Sequence, residues 1–253
     1  MKRGTCKLCQ NEADLQKSHY LGRALYKLCS DDGELPVLVS PNLVTQDQKQ
    51  IKDYVLCWDC EQRFTTKGED YVMGMVNRKN GFRMMELIRA NPMRRVEGDY
   101  SVYRATDMRI DTDRLAYFAL SVIWRGAHMW RTFNGRATGG LQLGNHEERV
   151  RRYLVGTGPY PDGAIVKVSV ACDNASQNFV MFPRVNPDQQ DARVFTIVVR
   201  GIWFDIVLGD GLPAYMHQSC CVSSPEKLIF VGDFDRFVIY ELEQAKQTAR
   251  ILA

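Results

Sequence analysis

The chain has 253 residues, 45% apolar and 25% charged, with 33 Lys and Arg against 30 Asp and Glu. This is the composition of a soluble globular protein, and no stretch approaches the roughly 18 consecutive apolar residues of a membrane span. Charge is unevenly spread: residues 1–158 carry 25 Lys and Arg against 19 Asp and Glu, and residues 159–253 carry 8 against 11. The basic part permits nucleic-acid binding without establishing it.

The opening MKRGTCKLCQ has no apolar signal core, so the expected compartment is the cytoplasm, where thiols stay reduced. A first Cys-x2-Cys pair, Cys6 and Cys9, is followed by residues 14–21, read as extended, which set His19 close behind it. A short helix is expected over 22–29, with Leu21, Ala24, Leu25 and Leu28 apolar. A turn follows at 31–34, then short extended pieces over 35–44 broken by Pro36 and Pro41. Residues 53–56 lead as a strand or connector into the second pair, Cys57 and Cys60, with Cys60 at the start of a short helix. Thr65 to Glu69 should interrupt that helix, since Thr66 and Glu69 have capping-box spacing for a new one carrying Tyr71, Val72, Met75 and Val76. Gly81 breaks it before 82–88, and Asn91-Pro92 closes a unit over 1–92.

Residues 93–112 read as a linker or peripheral hairpin. A long helix over 113–131, capped by Asp111 or Thr112, is apolar on nearly every side from Leu115 to Trp124 and belongs in a core. For Arg125, a buried ion pair that fixes packing is favoured over a substrate role, and His128 reads as a packed histidine. A Gly-rich turn at 135–144 precedes a helix over 146–155, where Arg149, Arg151 and Arg152 form a basic edge. From Pro159 the period shifts. Strands are expected at 164–171, 177–183, 193–200 and 202–208, with one or two more at 228–231 and 236–242. Without long intervening helices they imply an antiparallel sheet in a unit over 113–253. The fold class is α+β. Neither Gly139-Gly140 nor Gly156-x-Gly158 has the context of a nucleotide loop, no heptads predict a coiled coil, and oligomeric state is open. Cys29, Cys172, Cys220 and Cys221 read as small buried residues.

Two Cys-x2-Cys pairs are a strong signal for a tetrahedral Zn²⁺ site, because each short turn aims two thiolates at one point. Cys6, Cys9, Cys57 and Cys60 are the expected ligands, of a structural ion. His19 lies between the pairs without being needed to complete the shell.

The series Cys-x2-Cys, Ser18-His19, then Leu56-Cys57-x2-Cys60-Glu61 resembles the four-cysteine, treble-clef branch of the HNH, or ββα-metal, endonuclease superfamily, specifically an uncharacterised HNH-like bacterial group. The resemblance covers roughly residues 4–75. A run like Ser121-Val-Ile-Trp-Arg125 also resembles one in the second domain of that group. It implies a zinc knuckle that holds a hairpin against a helix, with a second metal site beside it. His19 matches the family's general base, which activates water against a phosphodiester, and neutral imidazole suits that role near pH 7. A catalytic Mg²⁺ or Mn²⁺ is implied. The sequence departs from the family at Ser18, where an aspartate ligand is frequent, and at Lys52, where an asparagine is common, while Glu61 aligns with the late His or Asn ligand. Either Glu61 with Asp53, Glu69 or water assembles an altered oxygen-rich site, or catalysis has been lost and the scaffold remains.

The leading expectation is a metal-dependent endonuclease acting on DNA or RNA, with His19 and Glu61 catalytic and Lys17, Arg23, Lys52 and Arg63 positioning the nucleic-acid backbone. The alternative is a non-catalytic zinc scaffold that binds nucleic acid or a protein partner. A third arrangement puts a site in residues 113–253, in a pocket near Arg125, His128 and Arg149.

Overall fold

A computed structural model describes residues 2–30, 37–40, 43–46, 52–129, 140–189 and 192–249. Strand β1 (Lys2–Thr5) and strand β2 (Glu12–His19) form a hairpin around the first cysteine turn, followed by helix α1 (Arg23–Ser30). A second hairpin, β3 (Val37–Ser40) and β4 (Leu43–Gln46), precedes β5 (Lys52–Cys57). The turn expected at 31–34 lies outside the described residues. Antiparallel pairing gives a three-stranded sheet in the order β1-β2-β5. Its register jumps from Gln16 opposite Leu56 to Lys17 opposite Tyr54, leaving Val55 as a bulge. The bulge turns the Val55 carbonyl to accept from the Lys7 amide at 2.9 Å, so the strand irregularity holds the cysteine turn in place.

Helix α2 (Trp58–Phe64) starts from Cys57, and the interruption expected at Thr65 to Glu69 does not occur. Those residues form one π-helical turn that runs directly into α3 (Asp70–Met75). Thr66 caps nothing there: its hydroxyl donates back to the Gln62 carbonyl at 2.9 Å, as a threonine inside a helix does. Gly68 is buried, and a Cβ on it would meet the Phe118 backbone nitrogen at 2.9 Å. Its small size serves close helix approach, and the tertiary contact overrides the breaking tendency that the sequence suggests. The two-residue strands β6 (Asn77–Arg78) and β7 (Gly81–Phe82) then lead into α4 (Arg83–Arg89).

Residues 93–112 contain a hairpin, β8 (Arg95–Glu97) and β9 (Tyr100–Arg104). Next come α5 (Thr112–Met129), with Asp111 accepting from the Arg114 amide at 3.1 Å, and α6 (Glu147–Val155), entered through a 3₁₀ turn and ended by left-handed Gly156. The remainder is β10 (Ala164–Ala171), α7 (Asn174–Gln177), β11 (Val180–Gln189), β12 (Ala192–Val199), β13 (Ile202–Leu208), α8 (Ala214–Ser219), β14 (Leu228–Gly232) and α9 (Asp235–Ala249). The strands form one sheet in the order β11-β12-β13-β10-β14-β9-β8, in which β10 and β14 run parallel and the other pairs antiparallel. Pro183 and Pro187 fall on the edge strand β11, at its two register shifts, where a missing amide costs no ladder bond.

The chain is therefore a mixed α+β protein with mostly antiparallel sheets and a cysteine cluster near its N-terminus. Two expectations are corrected. Residues 236–242 belong to helix α9 and not to a strand: Phe234, Phe237 and Val238 recur at helical spacing and pack on Trp203, while Ile239 and Tyr240 face outward. Cys172 is exposed, whereas Cys220 and Cys221 are buried as expected; the side chain of Cys29 lies outside the described residues.

Fourteen of the eighteen α5 residues are buried. The helix touches β5, α3 and the π turn on the N-terminal part and β10, β11 and β13 of the large sheet. One apolar cluster consequently runs from Cys6 through Phe64 and Trp124 to Ile229. None of the helices among the described residues is long and apolar enough to cross a membrane.

Candidate metal centre and the buried carboxylates beside it

The four cysteines converge from two short turns. Cys6 and Cys9 flank a knuckle closed by the Gln10 amide on the Cys6 carbonyl at 2.8 Å, with Gln10 in the left-handed region. Cys57 ends β5, and Cys60 lies in the first turn of α2. Their sulfur atoms all lie within 4.8 Å of one another, and the Cys9 and Cys57 sulfurs are 3.9 Å apart. Four thiolates about 2.3 Å from a central ion would stand about 3.8 Å apart, so the donor set fits a tetrahedral ion such as zinc. The Cys57 amide donates to Cys6 Sγ at 3.3 Å. The hydrogen bond with Cys60 pushes the Cys6 thiol down to about 4, and the same contact pushes Cys60 up. From α6, Arg151 Nη1 donates to the Leu8 carbonyl at 2.5 Å, so one member of the predicted basic edge ties down the knuckle.

Beside the cluster, beginning at the residue after Cys60, lies a second polar group. Arg125, 2% exposed, reaches out of α5. Its Nη1 donates to the His19 carbonyl at 2.8 Å, its Nη2 pairs with Glu69 at the end of the π turn, and its guanidinium lies over the Phe64 ring at 5.0 Å. Burial works to lower the Arg125 pKa, but Glu69 and Glu61 outweigh it and the net shift is upward. Glu61, in the first turn of α2, is pushed up by burial, opposed by Arg125 and by the Ser18 hydroxyl facing it, while Glu69 adds to the upward shift. Ser18 Oγ lies against this carboxyl but short of full hydrogen-bond geometry. It and Arg125 Nε are buried without a hydrogen-bond partner, so the site keeps unspent donors. Gly22 makes room for the pair, since a Cβ there would stand 3.3 Å from the Glu69 carboxyl. Two carboxylates, one guanidinium, a buried hydroxyl and the end of the strand carrying half-buried His19 thus share one place.

The other predicted residues fall as follows. Lys17, Arg23 and Lys52 are exposed, Lys52 directly across the strand pair from His19. Asp53 pairs across with Ser18, and its Oδ1 accepts from the Tyr54 amide at 2.7 Å. Half-buried Arg63 lines an open cleft of about 560 Å³ beside the cysteines, together with Cys9, Glu12, Asp14, Trp58 and Asp59. Ser18, His19 and Glu61 are not among the described residues that line it, and its three carboxylates make it a poor seat for a phosphodiester. Arg149 is exposed and binds Asp210 at 2.7 Å, so it and Arg125 take separate partners. His128 packs on the Trp124 ring at 4.3 Å.

Sequence reasoning ascribed Glu69 to capping and did not connect it to Arg125; the capping-box spacing hid the pairing. It also missed Asp173, Asp233 and Asp235, whose carboxylate oxygens lie within 4.8 Å of one another. Asp173 accepts from the Ser176 and Phe234 amides at 2.7 and 2.9 Å, so capping accounts for it. No family model, curated protein or solved structure matches the chain.

Proposed function

We propose that the chain is a metal-dependent endonuclease on a treble-clef zinc scaffold, hydrolysing DNA or RNA phosphodiesters. The observation that carries this is the junction of β2 with α2: Ser18, buried near the end of the strand, faces the first-turn carboxylate Glu61 beside the cysteine cluster, and His19 is the next residue of that strand. In the HNH-like arrangement these are the positions of the base and of a metal ligand. Cys6, Cys9, Cys57 and Cys60 would hold Zn²⁺, which would tie strand and helix together. His19 takes the proton from the attacking water, and Glu61 would hold the catalytic cation. That cation, Mg²⁺ or Mn²⁺, supplies charge that stabilises the leaving oxygen when bound. Arg125 holds the His19 main chain through its carbonyl, and Lys17, Arg23 and Lys52 orient the backbone, while Arg63 faces the separate acidic cleft. Purified protein with Mg²⁺ or Mn²⁺ is expected to cut DNA or RNA. His19→Ala should slow cutting by about 10² to 10⁴ while zinc content stays unchanged, and equal cleavage by that variant would sink the mechanism.

A second reading is favoured by one observation: Arg125 already pairs with Glu69 and attracts Glu61, so its charge takes up part of the role a cation would have there. In it the chain is a non-catalytic zinc scaffold that binds nucleic acid or a protein. Titration with Mn²⁺, followed by its electron paramagnetic resonance signal, separates the two. Binding lost in Glu61→Gln supports the enzyme, and no binding by the wild type supports the scaffold.

A further inference from the structure

Three arginines converge on one carboxylate at the far edge of the large sheet. Glu226, in the turn before β14, lies 3.1 Å from Arg95 Nη1, 3.5 Å from Arg104 Nη2 and 3.8 Å from Arg94 Nε. Arg95 also pairs with Glu97 at 3.1 Å. Three guanidiniums face two carboxylates, so the patch has one positive charge in excess. Its donors are far from saturated, since a guanidinium carries five N–H groups. Arg104 directs one long hydrogen bond of 3.5 Å to Glu226, and Arg94 reaches it as an ion pair alone.

Fold stability does not explain the convergence. Exposed ion pairs contribute little, and three cations sharing one anion contribute less than three separate pairs. Charge on an edge strand does discourage sheet-to-sheet association, which accounts for Arg95 on β8 but not for Arg104 on the interior strand β9. The arginine side chains remain open, 53%, 42% and 32% exposed for Arg94, Arg95 and Arg104. Met93, one residue before Arg94, is 49% exposed.

We infer that this edge is a nucleic-acid backbone-binding surface, in which phosphate oxygens take the place of the Glu226 carboxylate between Arg94, Arg95 and Arg104. Carboxylate and phosphate offer guanidinium forks the same kind of oxygen acceptors. The arginines come from β8, β9 and the residue before β8, a spread that suits a continuous polyanion better than the single phosphate of a phosphopeptide. Met93 supplies apolar contact for the sugars. Glu226 then acts as a resident competitor that any phosphate must displace. The surface rests on the proposed function only in taking nucleic acid as its ligand, and uses none of His19, Glu61 and the cysteines.

The test is fluorescence anisotropy of labelled single-stranded and duplex oligonucleotides with the full chain over a salt series. Replacing Arg94, Arg95 and Arg104 together by Gln should weaken binding about tenfold or more and flatten the dependence of log Kd on log salt by about 2 to 3. Glu226→Gln should do the opposite and tighten binding about two- to fivefold, the size of one exposed charge contact. A purely structural network predicts no such gain. Wild-type affinity and slope in the triple variant, or weaker binding by Glu226→Gln, would overturn the surface; so would displacement of the oligonucleotide's role by a phosphopeptide that binds where the oligonucleotide does not. If the triple variant fails to fold, Glu226→Gln and Arg94→Gln decide the matter alone. A wild type that binds neither oligonucleotide at low salt overturns the surface and the nucleic-acid reading together. Binding that survives in the surface variants, with cleavage abolished by His19→Ala, overturns the surface alone.

Discussion

The cysteine cluster and the carboxylate group beside it are neighbours assembled by different means. Each cysteine pair is made by a turn of four residues, so half of the donor set is local, and only the meeting of two turns needs the fold. The carboxylate group has no such local unit. Glu69 faces Arg125 because a π turn carries it there, and Arg125 reaches the His19 carbonyl 106 residues away in sequence. Short-range geometry makes the first site robust to its surroundings, whereas the second exists only while α5 stays packed against the N-terminal part.

This contrast can be broken at its strongest point first. Cys57→Ser removes one thiolate of four and the end of β5, and the variant is expected to lose its metal and the cooperative unfolding of the N-terminal part, since a structural zinc site contributes on the order of 10 kcal/mol. Metal content by mass spectrometry and near-ultraviolet circular dichroism check it; full metal retention would remove Cys57 from the ligand set.

Next in size, Arg125→Met strands two partly buried carboxylates and should cost about 3 to 5 kcal/mol in urea unfolding, with zinc content unchanged. The double variant Arg125→Met/Glu69→Leu should recover part of that loss, because an apolar pair of similar volume leaves only Glu61 uncompensated. A double variant no more stable than the single one would show that the pair acts through something besides mutual neutralisation.

The smallest effect tests the packing that sets the contrast. On helix propensity alone Gly68→Ala should stabilise by about 1 kcal/mol. The Phe118 backbone 2.9 Å from the new Cβ predicts the opposite sign, a loss of about 1 to 3 kcal/mol as α5 is pushed away. Under the proposed function, cleavage or Mn²⁺ binding should fall with it while metal at the cysteine cluster is retained, since the carboxylate group depends on that approach and the cysteine turns do not.

How much could be read beforehand follows the same division. The cysteine spacing, the apolar α5 and the strands at 164–171 and 202–208 are local patterns, and each appears where its period or spacing demands. Residues 65–69 mislead because Thr66, Gly68 and Glu69 have the chemistry of a helix boundary, and nothing nearby reveals that Phe118 will press on Gly68. Residues 236–242 mislead because a short apolar run has no unambiguous period until the helical partners of Phe237 and Val238 on Trp203 are known.

By itself, then, the sequence determined the four-cysteine cluster, the α+β class and the central helix, because backbone periodicity and a two-residue spacer act over one or two turns. The tertiary structure alone decided that Arg125 joins Glu69 to His19, that half-buried Glu61 lies beside Ser18, and that three arginines share Glu226. Those contacts bring together groups 43 to 132 residues apart in sequence (Ser18 to Glu61, Arg94 to Glu226), and their energies depend on desolvation and on charges that no local window contains.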